Sequence, residues 1–202
     1  MIRKAMIELI KTRCNRLDKT GKFHDRYIEG ACDVIWQTMA YQFYENALID
    51  PNLYAKKYSP VTVSVDAGGN YYSNLPEVIL NLPRINSGIL RINKSSNKEF
   101  EFVPISERHF TFMQSQEIFQ IGTKIYFYND KDIVYYSDAM TPLIASSGVE
   151  MLLCIPFSKF DLEEELPIPA NQGATFISSV VELIFGTPPV DLRNTNSETM
   201  MQ

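Results

Sequence analysis

Hydrophobic residues recur at helical spacing in two segments at the start of the chain. In residues 1–18 the apolar positions on one side are Ile2, Met6, Leu9, Ile10 and Leu17. This spacing predicts an amphipathic helix, which Thr20 and Gly21 end. Residues 25–49 predict a second helix, with Asp25 as its N-cap and Asp50-Pro51 after its last turn. Because only a few residues connect them, we expect the two helices to form a hairpin over residues 1–50.

The hydrophobic period changes to two between Tyr54 and Phe157, which predicts β-strands. Alternation over residues 61–65 predicts one half-buried strand, and residues 151–157 predict another. Two pairs of strands predict hairpins: 89–92 with 100–103, and 124–128 with 133–136. We therefore expect a β domain over residues 51–165, built as a small antiparallel sandwich or barrel.

The helical period returns after Pro167-Ile168-Pro169. Residues 166–186 predict a C-terminal helix packed on the β domain, with its apolar stripe between Phe176 and Phe185. Gly186 suits the C-cap, and Pro188-Pro189 prevents the helix from continuing. Residues 187–202 form a polar tail in which Leu192 is the main apolar residue. The fold class is therefore α+β: a helical hairpin, a β domain, a closing helix and an extended tail that we expect a neighbouring chain to hold.

Composition and charge narrow the functional classes. The chain has 202 residues, of which 45% are hydrophobic and 21% are charged, as in globular proteins. No apolar run approaches the roughly 20 residues of a membrane span, and the charged first residues predict no signal peptide. The net charge of −5 argues against a dedicated nucleic-acid binder. Cys14, Cys32 and Cys154 form no metal or disulfide pattern, so we predict small buried side chains in a reducing compartment.

Candidate chemistry is sparse, and the sequence predicts no catalytic, cofactor-binding or metal-binding residue. We expect structural or surface roles for His24, at the start of the second helix, and for His109, in a β stretch. Gly68-Gly69 lacks the remainder of a phosphate-binding loop and predicts a turn. The acidic cluster comprises Asp161, Glu163, Glu164 and Glu165. It could supply an acid/base pair, but a solvated loop is the preferred interpretation.

Tyrosines are abundant in and around the second helix and the β region. They are Tyr41, Tyr44, Tyr54, Tyr58, Tyr71, Tyr72, Tyr126, Tyr128, Tyr135 and Tyr136. Aromatic stripes bind sugars or bases, and tyrosine is also enriched at protein interfaces. The negative charge disfavours base stacking, so we expect core and interface roles.

Several segments resemble virion proteins of tailed bacteriophages. They are residues 72–83 (YSNLPEVILNLP), 87–92 (SGILRI), 166–170 (LPIPA) and 189–198 (PVDLRNTNSE). Over residues 54–200 the chain is most similar to neck or tail-barrel ring proteins of the crAss-like podoviruses of gut Bacteroidales. Residues 1–50 contribute nothing to this resemblance.

The resemblance implies a structural role without enzymatic activity. Such proteins are cyclic oligomers, typically twelve-fold, in the head–tail neck or tail barrel. They contact the portal and other neck or tail proteins, and DNA passes through the ring without sequence-specific binding. We therefore expect a virion location after folding and assembly in the host bacterial cytoplasm. An acidic wall would repel DNA phosphates and let the DNA slide.

Two alternatives remain open at the level of the sequence. One is a tail-hub subunit that docks fibres through exposed tyrosine-rich hairpins. The other is a carbohydrate-binding β module, or a glycosidase that uses the carboxylates between Asp161 and Glu165.

Overall fold

The structure is a computed structural model that describes residues 1–18, 23–45, 52–84, 86–94, 100–114, 124–137, 148–169 and 171–186. These residues form a mixed α+β protein with four α-helices and two β-sheets. The tail and its Leu192 lie outside them, as do residues 46–49 of the predicted second helix.

Three of the four helices occupy the segments that the helical period predicts. The helices are α1 (Arg3–Leu17), α2 (Asp25–Glu45), α3 (Glu107–Gln114) and α4 (Gly173–Phe185). Gly186 follows α4 with a φ of 65°, as expected of a glycine that ends a helix. The predicted N-cap of α2 is one residue wrong. The carbonyl of His24 accepts the first helical hydrogen bonds, and Asp25 instead pairs with Lys11 of α1 at 2.9 Å.

Eight strands form two separate sheets. The strands are β1 (Ala55–Val61), β2 (Ser64–Val65), β3 (Tyr71–Asn74), β4 (Ile89–Lys94), β5 (Glu101–Pro104), β6 (Lys124–Asp130), β7 (Ile133–Tyr136) and β8 (Val149–Cys154). The three-stranded sheet has the order β1-β8-β4, and the five-stranded sheet has the order β2-β3-β7-β6-β5. Neither sheet closes into a barrel within the described ranges. The predicted helical hairpin and sandwich packing stay predictions.

The predicted hairpin between residues 89–92 and 100–103 is wrong. Strand β4 pairs with β8 in one sheet, whereas β5 pairs with β6 in the other. The β5–β6 pair is parallel, so the prediction of a purely antiparallel β domain is also wrong. Parallel neighbours need a crossover, and α3 lies between β5 and β6 in the chain. The hairpin of β6 and β7 is confirmed.

Helix α3 replaces the predicted β stretch around His109. Ser106 directly precedes this helix, and its hydroxyl lies 3.0 Å from Nδ1 of His109. A serine followed by an acidic first turn, here Glu107, is an ordinary helix start. Two strand predictions also need new bounds. Residues 61–65 divide between β1 and β2, and the predicted strand 151–157 ends at Cys154, before a 3-10 turn at Phe157–Lys159.

An aromatic cluster around Trp36 joins the helices to the three-stranded sheet. Trp36 of α2 is fully buried, and its indole nitrogen donates a hydrogen bond to the carbonyl of Ile155 at 3.0 Å. Four rings meet it edge-on, with centroids 4.9–5.9 Å away: Tyr54, Phe157, Phe160 and Phe176. The cluster thus fixes α2 between α4 and the chain that leaves β8.

Candidate functional site

The acidic cluster at Asp161–Glu165 is occupied by ion pairs with the start of the chain and with β1. The ammonium of Lys56 lies 3.0 Å from Asp161 and 2.6 Å from Glu164. Lys4 lies 3.0 Å from Glu163, and the amino terminus lies 3.2 Å from Glu165. These ion pairs hold the acidic cluster against the start of the chain and against β1.

Charge interactions shift the pKa values of the Lys56 and Asp161 side chains. The hydrogen bond from Lys56 is the main cause that lowers the pKa of Asp161. Burial opposes the charge of Lys56, but its hydrogen bonds with Glu164 and Asp161 outweigh burial and raise its pKa. Both groups therefore stay charged over a wider pH range than usual. The geometry favours a fixed salt-bridge network over a carboxyl group poised for proton transfer.

Backbone hydrogen bonds reinforce the connection between the acidic loop and the first residues. The amide of Arg3 donates to the carbonyl of Glu164 at 3.1 Å, and the amide of Leu166 donates to the carbonyl of Met1 at 3.0 Å. The Arg3 guanidinium is almost fully buried. It donates to the carbonyl of Phe160 at 2.9 Å and pairs with Glu29 of α2 at 2.5 Å. Arg3 therefore connects α1, α2 and the acidic loop.

The other residues that the sequence analysis considered for chemistry lie on different elements. His24 and His109 are exposed and stand at the start of α2 and within α3, respectively. Gly68-Gly69 lies in the predicted turn, where backbone amides donate to the Asp66 carboxylate. The side chain and backbone of Asn70 also lower the pKa of Asp66.

The prediction of buried cysteines is confirmed: all three are buried and free. Burial raises the pKa of Cys32 and Cys154 to about 12, which keeps both thiols protonated at neutral pH.

Three tyrosines form a row across one face of the five-stranded sheet. Tyr72 of β3 and Tyr128 of β6 stand directly opposite Tyr135 of β7. The Tyr128 and Tyr135 rings stack with centroids 5.1 Å apart, and the Tyr72 ring lies 6.5 Å from Tyr135. Phe110 of α3 covers the Tyr128 end at 4.7 Å. We call Tyr72, Tyr135 and Tyr128 the tyrosine row; all three are partly exposed.

An exposed, uncharged strip runs along α2, opposite the face that Trp36 occupies. Tyr27, Val34 and Tyr41 recur every seven residues and are 56%, 53% and 40% exposed. A side chain added at Gly30 would meet no neighbouring atom within 4 Å, so the surface there is open. A depression of about 460 Å³ lies between Val34 and Glu45. We call the exposed uncharged residues Tyr27, Gly30, Val34, Gln37, Thr38 and Tyr41 the α2 strip.

The sequence interpretation of the helices missed this strip. The residues that the sequence places on nearly one face of this helix are Ile28, Ala31, Ile35, Met39, Gln42 and Phe43. Of these, Gln42 is exposed. The sequence signal for the strip is a second series of apolar residues, Tyr27, Val34 and Tyr41, which recurs every seven residues. On α1 the assignment also needs correction, because Leu9 and Leu17 are 44% and 66% exposed, whereas Ile7 and Cys14 are buried.

The described ranges contain neither a cluster of metal ligands nor a helix that could cross a membrane. No three His, Cys, Asp or Glu side chains there come together as metal ligands. No helix there combines the length and apolar character that crossing a membrane requires.

The chain matches no protein-family model and no curated protein.

Proposed function

We propose that this chain is a structural virion subunit of a tailed bacteriophage, which assembles into a cyclic ring in the head–tail neck or tail barrel. The sequence resemblance to such ring proteins motivates the proposal. The observation that carries it is the α2 strip. In this role the subunit contacts identical copies and adjacent portal, neck or tail proteins, while DNA passes through the ring.

The α2 strip has the composition of a protein–protein contact. Single exposed apolar residues are ordinary on any surface. Here, however, the exposed positions between Gly30 and Gln42 are all uncharged, and Tyr27 to Tyr41 extends about 21 Å along the helix. Depletion of charge and enrichment of tyrosine distinguish the centre of an interface from other surface. Trp36, on the opposite side of α2, holds the strip on a rigid base.

Ring symmetry sets a further requirement. A ring closes through heterologous contacts, so each subunit presents two different surfaces to its two neighbours. The α2 strip is one such surface in this proposal. The net charge of −5 suits the wall of a DNA conduit, since it repels phosphates.

Placing a charge on the α2 strip is expected to disrupt the ring. Val34→Asp would desolvate an unpaired carboxylate at the contact, while its helix propensity is close to that of valine. We expect the protein concentration needed for assembly to rise at least tenfold, which corresponds to about 1.4 kcal/mol. Native mass spectrometry of the purified full chain measures this, with the unsubstituted chain expected as one discrete multimer of about twelve copies.

Val78→Asp is the matched control for this experiment. Val78 is 55% exposed, close to the 53% of Val34, and lies outside α2. It should leave the multimer unchanged. An unsubstituted chain that stays monomeric with and without its virion partners would refute the ring. An intact multimer of Val34→Asp would remove the α2 strip from the interface.

The tyrosine row favours a second candidate function, a carbohydrate-binding module. Adjacent aromatic faces on a sheet offer apolar platforms on which sugar rings could pack. Under this hypothesis, oligosaccharides from host surface glycans raise the melting temperature by binding the native state. Tyr135→Ala should abolish the shift, because Tyr135 is the middle ring of the row. Tyr27→Ala, which removes an exposed tyrosine elsewhere, should retain it. The absence of any glycan-dependent shift in the unsubstituted chain would count against this candidate.

The fibre-docking alternative stays a prediction.

A further inference from the structure

A groove between α1 and α4 is open at the surface near the ends of both helices. Its volume is about 340 Å³. Leu17, Val181 and Phe185 form its apolar part, and Arg13, Arg16 and Glu182 supply charges. Leu17 is 66% exposed, the largest exposed fraction among the large hydrophobic side chains of the described residues.

The two helices run in the same direction along this groove. Arg13 of α1 donates to the Ser178 hydroxyl of α4 at 3.1 Å. Further toward the C-terminal ends, Leu17 lies about one turn beyond Arg13 and Phe185 about two turns beyond Ser178, and both line the same groove. The helices therefore end on the same side. Gly186 follows Phe185 directly, so the chain enters residues 187–202 at the open end of the groove.

The sequence of that tail matches the groove in chemistry. Val190 and Leu192 are apolar and alternate with Asp191 and Arg193. In an extended segment, alternate side chains point to opposite sides. Residues 190 and 192 can therefore cover the apolar part while the two charges stay at its rim. Asp191 complements Arg16, which forms no ion pair among the described residues, and Arg193 complements Glu182.

We propose that this groove binds residues 190–193 of a neighbouring copy, with Leu192 against Leu17, Val181 and Phe185. The inference rests on the proposed ring, for which it supplies a second interface. A neighbouring copy is favoured over the same chain because Pro188-Pro189 stiffens the exit from α4. Two consecutive prolines favour an extended path of about 3.1 Å per residue. Self-binding would require the chain to reverse directly after α4, which two consecutive prolines disfavour.

Peptide binding tests the groove without relying on ring formation. The probe is a labelled synthetic peptide of residues 187–202, and the receptor is the full chain carrying Leu192→Asp, which disables its own tail. We expect saturable binding by fluorescence anisotropy. Adding Leu17→Asp to the receptor should weaken it at least tenfold, and a peptide with Leu192→Asp should not bind. Equal binding with and without Leu17→Asp, or no binding at all, overturns the groove assignment.

A cysteine pair distinguishes a neighbouring copy from the same chain. Full chain carrying Leu17→Cys and Leu192→Cys is oxidised mildly, and its products are separated without reductant; the three native cysteines are buried and contribute little. Binding between copies predicts disulfide-linked multimers. A disulfide closed within a monomer overturns the exchange between copies.

The failure of this inference and that of the ring have different signatures. A discrete ring that forms equally well with Leu192→Asp overturns the tail contact alone. Open chains or dimers joined between residues 17 and 192, without a closed ring, overturn the ring while the tail contact stands.

Discussion

Replacing Trp36 by alanine is expected to lower the free energy of unfolding by about 3–5 kcal/mol, the range for a large buried aromatic. The indole is fully buried and contacts the ring of Tyr54, just before β1, and rings from α4 and the segment after β8. The substitution removes this packing and leaves a cavity that rigid neighbours cannot fill. It also leaves the carbonyl of Ile155 without its indole donor. Urea unfolding followed by circular dichroism measures the loss.

Gln37→Ala is the matched control for Trp36→Ala. Gln37 is the next residue of the same helix and is exposed in the single subunit, so its truncation should change the stability of the unassembled chain by less than about 0.5 kcal/mol. Trp36→Phe separates the two contributions, because it keeps most of the ring packing and removes the hydrogen bond. We expect an intermediate loss of about 1–3 kcal/mol. Equal urea midpoints for Trp36→Ala and Gln37→Ala would contradict the central role of this cluster.

Replacing Arg3 by methionine is expected to cost about 2–4 kcal/mol, slightly below the range for breaking a fully buried ion pair. The Arg3 side chain is 8% exposed, whereas its partner Glu29 is 35% exposed. Because Glu29 is partly exposed, solvent compensates its carboxylate for part of the ion pair that it loses. The substitution also removes the hydrogen bond to the carbonyl of Phe160, so both α2 and the acidic loop lose a contact with α1.

Lys4→Met provides the comparison for Arg3→Met. Lys4 is adjacent in sequence and also forms an ion pair, with Glu163, but both side chains are more than half exposed. Exposed pairs contribute little, so its loss should be below about 0.5 kcal/mol. In the double variant Arg3→Met/Glu29→Met, stability should partly recover, because no unpaired carboxylate is left at the contact. Equal losses for Arg3→Met and Lys4→Met in thermal unfolding would refute the distinction.

The acidic cluster shows why the sequence could not assign its chemistry. Four carboxylates within five residues are visible in the sequence, but their partners come from residues 1, 4 and 56. Ion pairing depends on distances between segments that are remote in the chain. Only the folded structure brings Lys56 within 2.6 Å of Glu164.

The sequence could not reveal the α2 strip or the groove for a similar reason. The sequence displays two apolar series on α2, and each could face the core. Packing of Trp36 against residues from three other segments decides that Tyr27, Val34 and Tyr41 face outward. For α1, packing into the common core buries Ile7 and Cys14 and leaves Leu17 at the surface. Periodicity identifies an amphipathic helix, but it does not say which neighbour covers which side.

The sequence alone determined the α+β class, three of the four helices, the hairpin of residues 124–136 and the buried cysteines. These features depend on local periodicity, turn residues and helix ends, all of which are encoded within short segments. Tertiary structure decided that β4 and β5 belong to different sheets and that β5 pairs in parallel with β6. It also decided the partners of the acidic cluster and the exposed faces of α1 and α2. These features depend on contacts between distant segments, whose free energy becomes available only when the whole core forms.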